Sequence, residues 1–297
     1  MLRAWFQAAR PLAQANIAAP LILGQAAAYA VTGEFSWAWA AAAHGFGIID
    51  QLVIIFWNDY SDVDADRLND APTPFSGGSR VIVEGKLSRQ AVRTGAAIAT
   101  AALLLFSGAV SLLGRPLTIG FALVGIGLVQ LYSFAPARLA YRGHGEGLQA
   151  LGLGIVLPAL GYYLQAGELR SIPLGLLVGA TLYGYAGNIL TALPDATGDR
   201  KAGKRSFPVR YGERIARYAF VLITGAAAGA AASAMDGVAA AIVFLVPMSL
   251  VLAALPLVGR ANAEHRKAVL WFVILGGGAI QGGILAWAGT LVFMGGT

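Results

Sequence analysis

The sequence predicts an all-α, polytopic membrane bundle, and three observations lead to that class. Charged residues make up 12% of the 297 positions and hydrophobic ones 57%, whereas a soluble domain carries about 25% charge. The mean hydropathy is +0.67. Long apolar stretches exceed the roughly 18–20 residues that a helix needs to cross a bilayer. Lipid offers backbone N–H and C=O groups no partner, so spans are helices or closed barrels, and the period-2 alternation of a barrel is absent.

Nine spans are expected, near 13–32, 38–57, 92–113, 116–135, 148–166, 173–194, 215–234, 238–258 and 268–293. The first begins after Arg10 at Pro11 and runs on too far for a cleavable leader. The second and sixth end in acidic clusters. The fifth carries Gly147, Gly154 and Gly161, a small-residue spacing that allows close helix contact. All nine fall in one transmembrane domain, residues 1–297.

The loops divide by charge. The N-terminal segment and the loops after spans two, four, six and eight hold 19 of the 21 basic residues, Arg260 and Arg266 among them. The other side keeps only Arg115 and Arg170. Positive charge concentrates on the cytoplasmic side, so the N-terminus and the loops after even-numbered spans are expected in the cytoplasm, at a cell inner membrane. This topology accounts for the net charge of +6 without a nucleic-acid partner. With no cysteine, disulfides, Cys-ligated zinc, iron–sulfur clusters and thiol nucleophiles are excluded.

Chemistry points to two acidic clusters on that one side. Span two ends in Asn58-Asp59-Tyr60-Ser61-Asp62-Val63-Asp64-Ala65-Asp66-Arg67. At about 100° per residue, Asp59, Asp62 and Asp66 share a helix face with Asn58 beside them, and Asp64 lies opposite. Like charges so placed repel, and a hard cation (Mg²⁺, Mn²⁺ or Ca²⁺) suits an all-oxygen set. Span six ends in Asp195 and Asp199, four apart, with Asn188 and Thr191 turned roughly the same way. Two facing carboxylate sets suit a metal-bridged diphosphate better than a closed cage does. The plainer reading of either cluster alone is a solvated helix end. An EF-hand fails, because Arg67 stands at the turn glycine and Thr73 at the bidentate Glu.

These residues resemble the UbiA superfamily of intramembrane prenyltransferases. Asn58-Asp59-x2-Asp62-x3-Asp66 is similar to its NDxxDxxxD motif and Asp195-x3-Asp199 to its DxxxD motif. Three runs look most like the menaquinone branch, the 1,4-dihydroxy-2-naphthoate polyprenyltransferases: Gly78-Ser79-Arg80-Val81-Ile82, Tyr141-Arg142-Gly143-His144-Gly145-Glu146, and Asp199 through Arg205. Leu193-Pro194 departs from the Leu-Arg that more often precedes the second motif.

The resemblance implies a bundle around a central cavity. In it Mg²⁺, with Mn²⁺ as a substitute, joins a polyprenyl diphosphate to Asn58, Asp59, Asp62, Asp66, Asp195 and Asp199. Asp59, Asp62, Asp195 and Tyr132 are the implied catalytic residues. Tyr132 opens a YxxxP-like element and faces the chamber or the cation; the alternative is an interfacial anchor. Arg80 and Lys86, then Lys201, Lys204 and Arg205, are the basic candidates for the diphosphate, and each is equally a topology charge. Arg142 and Glu146 contact a substrate head group or pair with each other, and Asn188 completes the candidate binding set. The implied partners are polyprenyl diphosphate, a small aromatic acceptor and membrane lipid. The acceptor is 1,4-dihydroxy-2-naphthoate or, by the same machinery, 4-hydroxybenzoate, homogentisate or similar; a terpene cyclase would need none. A lipid-binding protein or transporter is the non-enzyme rival. Asp50, about two turns inside span two, is costly in a membrane and needs a cavity or partner.

Overall fold

The computed structural model describes residues 1–69, 78–258 and 265–295; Thr73, Arg260 and the side chain of Arg266 lie outside these. Among the described residues there is no strand. Among these residues eight helical segments are long and apolar enough to cross a membrane, and Thr118–Ser133 is a shorter apolar helix. The chain is therefore a multi-pass membrane protein of the expected class.

In chain order the helices are α1 (Leu2–Ala9), α2 (Ala15–Thr32), α3 (Trp37–Ser61), α4 (Val63–Leu68), α5 (Arg89–Leu112) and α6 (Thr118–Ser133). There follow α7 (Leu139–Arg142), α8 (Gly145–Leu151), α9 (Leu157–Ala166), α10 (Leu174–Ala192), α11 (Ala196–Lys201) and α12 (Phe207–Tyr211). The last three are α13 (Glu213–Ala232), α14 (Gly237–Ala254) and α15 (His265–Gly295). Ser36 caps α3 by accepting from the Trp39 amide at 3.4 Å, and Ser88 caps α5 through the Ala91 amide at 3.0 Å, each satisfying an amide that the first helical turn leaves free. A π-helical stretch, Gly152–Val156, joins α8 to α9 within one span.

The bundle has two packed cores. One is formed by residues of α2, α9, α10, α13, α14 and α15, the other by α1, α2, α3, α5, α6 and α9. Helices α2 and α9 serve both: Leu23 and Tyr162 belong to the first, Leu21 and Tyr163 to the second. Their crossing depends on glycine. A Cβ on Gly24 would overlap the Pro158 carbonyl, and one on Gly161 the Leu21 carbonyl. Gly154 meets the α10 backbone at Thr181 in the same way, whereas Gly147 faces open space. Outward faces are apolar, with Leu105, Leu222, Leu245 and Phe293 exposed, as a lipid-facing surface requires.

Two features were not expected. The first span is preceded by α1, an amphipathic helix that ends at Arg10, which takes the left-handed conformation (φ 44). Trp5 of α1 packs edge-on against Phe56 at 5.6 Å while Leu2 and Phe6 stay exposed. The long acidic helix end is also interrupted: α3 stops at Ser61, Asp62 leaves helical geometry (φ −97, ψ 12), and α4 begins at Val63.

Candidate active site

The two acidic motifs meet. The Asn69 side chain, just past α4, donates to Asp195 Oδ1 at 2.8 Å. Lys204, from the loop after α11, reaches back to Asp62 Oδ2 at 3.1 Å and lies 4.0 Å from Asp199 Oδ1. Tyr141 also donates to Asp62, at 3.1 Å, and Ser206 donates to Asp199 Oδ2 at 2.7 Å. Asp64 points away and pairs with Arg67 at 3.5 Å in solvent, as the helical wheel requires.

These groups form one end of a cavity of ≈ 960 Å³. Its wall includes Asn58, Asp62, Asp66, Asp195, Asp199, Lys204, Arg80, Tyr132, Asn188 and Thr191. It continues along α3, α6, α9 and α15 past Ile54, Leu128, Leu157 and Val273. The π-helical Gly152 and Val156 face it as well. Asn188 is tied to Gln149 by a short hydrogen bond. A polar end opening onto an apolar body is the shape that an anionic head on a hydrocarbon tail needs.

Asp59 is buried at the end of α3. It lies off the wall of the main cavity, and its carboxylate is turned onto Ser79, accepting from the amide at 3.1 Å and from the hydroxyl in a short bond. The bonds from the Asp62 amide to the Asn58 carbonyl (2.9 Å) and from the Asp66 amide to the Asp62 carbonyl (2.8 Å) run on through the kink, and Asp59 stays beside the Asp66 carboxylate. Gly78 has φ 66, and a Cβ there would collide with the Asp66 carboxylate and come within 3.1 Å of Asp59 Oδ1. Only glycine satisfies both conditions.

Three basic candidates also stand elsewhere. Lys86 pairs with Glu84 at 2.6 Å and with Gln7 at 2.8 Å on the surface. Lys201 is exposed and off the cavity wall. Arg142 donates to the Pro136 carbonyl at 2.7 Å. Glu146 is not its partner: it accepts from the Phe207 amide at 2.5 Å and from Arg210 at 3.1 Å, joining α8 to α12. Arg80 does reach the cavity, with its guanidinium holding the carbonyls of Asp66 (3.1 Å) and Asn69 (3.4 Å). Arg10 and Gln7, which carried no motif signal, also line it.

The donor set fits a hard divalent ion. Burial, then Asp59, Asp62 and Asp195, pushes the Asp66 carboxyl up to about 7 against the pull of Lys204, as desolvation and like charge do to clustered carboxylates. Burial likewise raises Asp199 against the opposing pull of Lys204 and Ser206. Among the described residues no three acidic or histidine side chains close into one cage, which suits an ion that keeps water and phosphate oxygens among its ligands. Burial alone would lower the Lys204 ammonium, but Asp62, Tyr132, Asp199 and Tyr141 outweigh it and hold the group well above the ordinary lysine value.

The UbiA prenyltransferase family matches residues 17–275. The chain belongs to that family. No curated protein matches it in sequence. A UbiA homologue from Aeropyrum pernix K1 is similar in structure, with a TM-score of 0.66 at 16% identity over 91% of this chain and 96% of that one. A UbiA homologue from Archaeoglobus fulgidus, bound to DMAPP and Mg²⁺, gives 0.65 at 18% identity over 97% and 99%. A structure described for digeranylgeranylglyceryl phosphate synthase gives 0.64 at 15% identity over 98% and 99%. The likeness at this identity is one of fold, and membership of the family makes the chain a prenyltransferase.

Proposed function

We propose that this enzyme transfers a polyprenyl group from an allylic diphosphate to a small aromatic acceptor, 1,4-dihydroxy-2-naphthoate, in a Mg²⁺-dependent reaction of menaquinone biosynthesis. The whole chain acts as one transmembrane domain in the inner membrane, with the N-terminus and the acidic motifs on the cytoplasmic side. The observation that carries the reading is the convergence of Asp62, Asp66, Asp195 and Asp199 with Lys204 at the polar end of an otherwise apolar cavity. The naphthoate acceptor rests on the run from Tyr141 to Glu146 and on the likeness of the runs Gly78 to Ile82 and Asp199 to Arg205 to that branch.

Asn58, Asp62, Asp66, Asp195 and Asp199 would hold Mg²⁺, with Mn²⁺ as a substitute. When bound, the metal neutralises charge that develops on the departing diphosphate. Asp59 holds Ser79, whose amide and hydroxyl both donate to it. Lys204 and Arg80 supply cationic contacts to the phosphate oxygens, Arg80 by its planar fork. The chain's apolar wall excludes water while the allylic C–O bond breaks. Tyr132, whose ring lies 5.8 Å from the Lys204 ammonium, faces the prenyl C1 and its developing charge. The acceptor ring carbon then bonds to C1, and its carboxylate departs as CO₂, leaving the electron pair for the ring. Lys86, Lys201 and Arg142 take no part in this scheme.

The test is to incubate membranes with Mg²⁺, geranyl to octaprenyl diphosphates and a panel of acceptors, with products identified by mass. Prenylated, decarboxylated naphthoate is expected. Product only from 4-hydroxybenzoate or homogentisate would move the enzyme to another branch, and acceptor-free cyclic products would make it a cyclase. No release of diphosphate with any acceptor would overturn the enzymatic reading.

A further inference from the structure

A carboxyl group deep in the cavity is among the polar groups that this scheme leaves unused. Asp50 lies in α3, nine residues before Asp59 and so about 13 Å deeper along the helix. It is 5% exposed and lines the cavity. Its Oδ1 has no hydrogen-bond partner in the structure. The oxygen rests against Gly125 of α6, where an added Cβ would come within 3.1 Å. Gln51, 6% exposed, lines the cavity beside it. Ile54, a turn along α3, and Leu128, a turn along α6, make the adjoining wall apolar.

A carboxyl in such a wall is costly unless a ligand satisfies it. The prenyl tail has no donor to offer, and an anionic diphosphate would be repelled. A hydroxyl group satisfies it, because the O–H donates to the carboxylate. We infer that Asp50, with Gln51 beside it and Gly125 making room, forms a subsite that recognises a hydroxyl group on the acceptor. This rests on the aromatic-acceptor reading above. Its depth agrees with that role, since a metal-held phosphate, a near-attack gap of about 3–3.5 Å and the breadth of an aromatic acceptor together span a comparable distance.

The experiment compares 1,4-dihydroxy-2-naphthoate with its 1,4-dimethyl ether in the wild type, Asp50→Asn, Asp50→Leu and Gly125→Ala. Equilibrium binding is read for each aromatic and, separately, for geranyl diphosphate with Mg²⁺. The wild type is expected to prefer the free diol by about tenfold or more. Asp50→Leu should weaken diol binding by a similar factor and abolish the preference, while the affinity for geranyl diphosphate stays within about twofold. Gly125→Ala, which crowds Oδ1 without touching the carboxyl, should move the same way by less. Unchanged discrimination in Asp50→Leu, or equal loss of diol and diphosphate binding, would overturn the inference, as would a wild type that binds no diol. Asp50-dependent diol binding without prenyl transfer would keep the subsite and remove the reaction assigned to it.

Discussion

At the scale of single residues, the site is governed by what each carboxylate faces. Asp59 faces Ser79, Asp62 faces Tyr141 and Lys204, and Asp199 faces Ser206. Residues that orient a ligand set affect metal affinity nearly as much as the ligands themselves. Ser79→Ala, which frees Asp59 beside the ligand Asp66, should therefore raise the Mg²⁺ concentration for half-maximal turnover by about tenfold or more, read from a Mg²⁺ titration at saturating donor. Asp66 supplies a pH dependence. Its folded-state value, pushed up to about 7, lies above the ordinary carboxylate value of 3.8. The stability it contributes is complete below that ordinary value and is lost as pH rises through about 7. Detergent-solubilised protein in EDTA should accordingly show a Tm that falls between roughly pH 4 and 7 and levels off above, and Mg²⁺ should restore it at the upper end. A flat profile in EDTA would contradict the clustering. The acids were legible in the sequence because helical spacing alone places them on one face. Their partners Ser79, Asn69 and Ser206 were not, since they lie outside the helical repeat that marks the acids and no local periodicity announces them.

At the scale of helices, close approach decides the packing. The α2–α9 crossing rests on Gly24 and Gly161, each with a backbone carbonyl of the other helix where a Cβ would go. Gly161→Val should separate the pair and lower the Tm of the purified protein, with a cost of at least the roughly 1–3 kcal/mol of an overpacked core. Gly147→Ala, with open space around it, should leave Tm nearly unchanged. The sequence spacing had marked Gly147, Gly154 and Gly161 alike; only the register of α9 and α10 against their neighbours separates them. The same holds for the break at Asp62, which no proline or glycine between Asn58 and Arg67 announces. Helix α1 is too short to leave a periodic signal, and its buried side depends on the distant Gly95 and Phe56.

At the scale of the molecule, two cores joined by α2 and α9 leave a cavity whose polar end gathers side chains more than a hundred residues apart in sequence, such as Asn69 with Asp195 and Asp62 with Lys204. Composition and charge asymmetry made the membrane class and span count legible, because bilayer thickness imposes helix length directly. The size and depth of the cavity follow from tertiary packing and leave no comparable trace. The central claim is that both motifs hold one metal–diphosphate together. Its most direct measurement is the binding of geranyl diphosphate to purified wild type, Asp62→Ala and Asp195→Ala, with Mg²⁺ and in EDTA. The account predicts binding that requires Mg²⁺ in the wild type and is lost by about a hundredfold or more in each single variant. Wild-type, Mg²⁺-dependent affinity in either variant would contradict it.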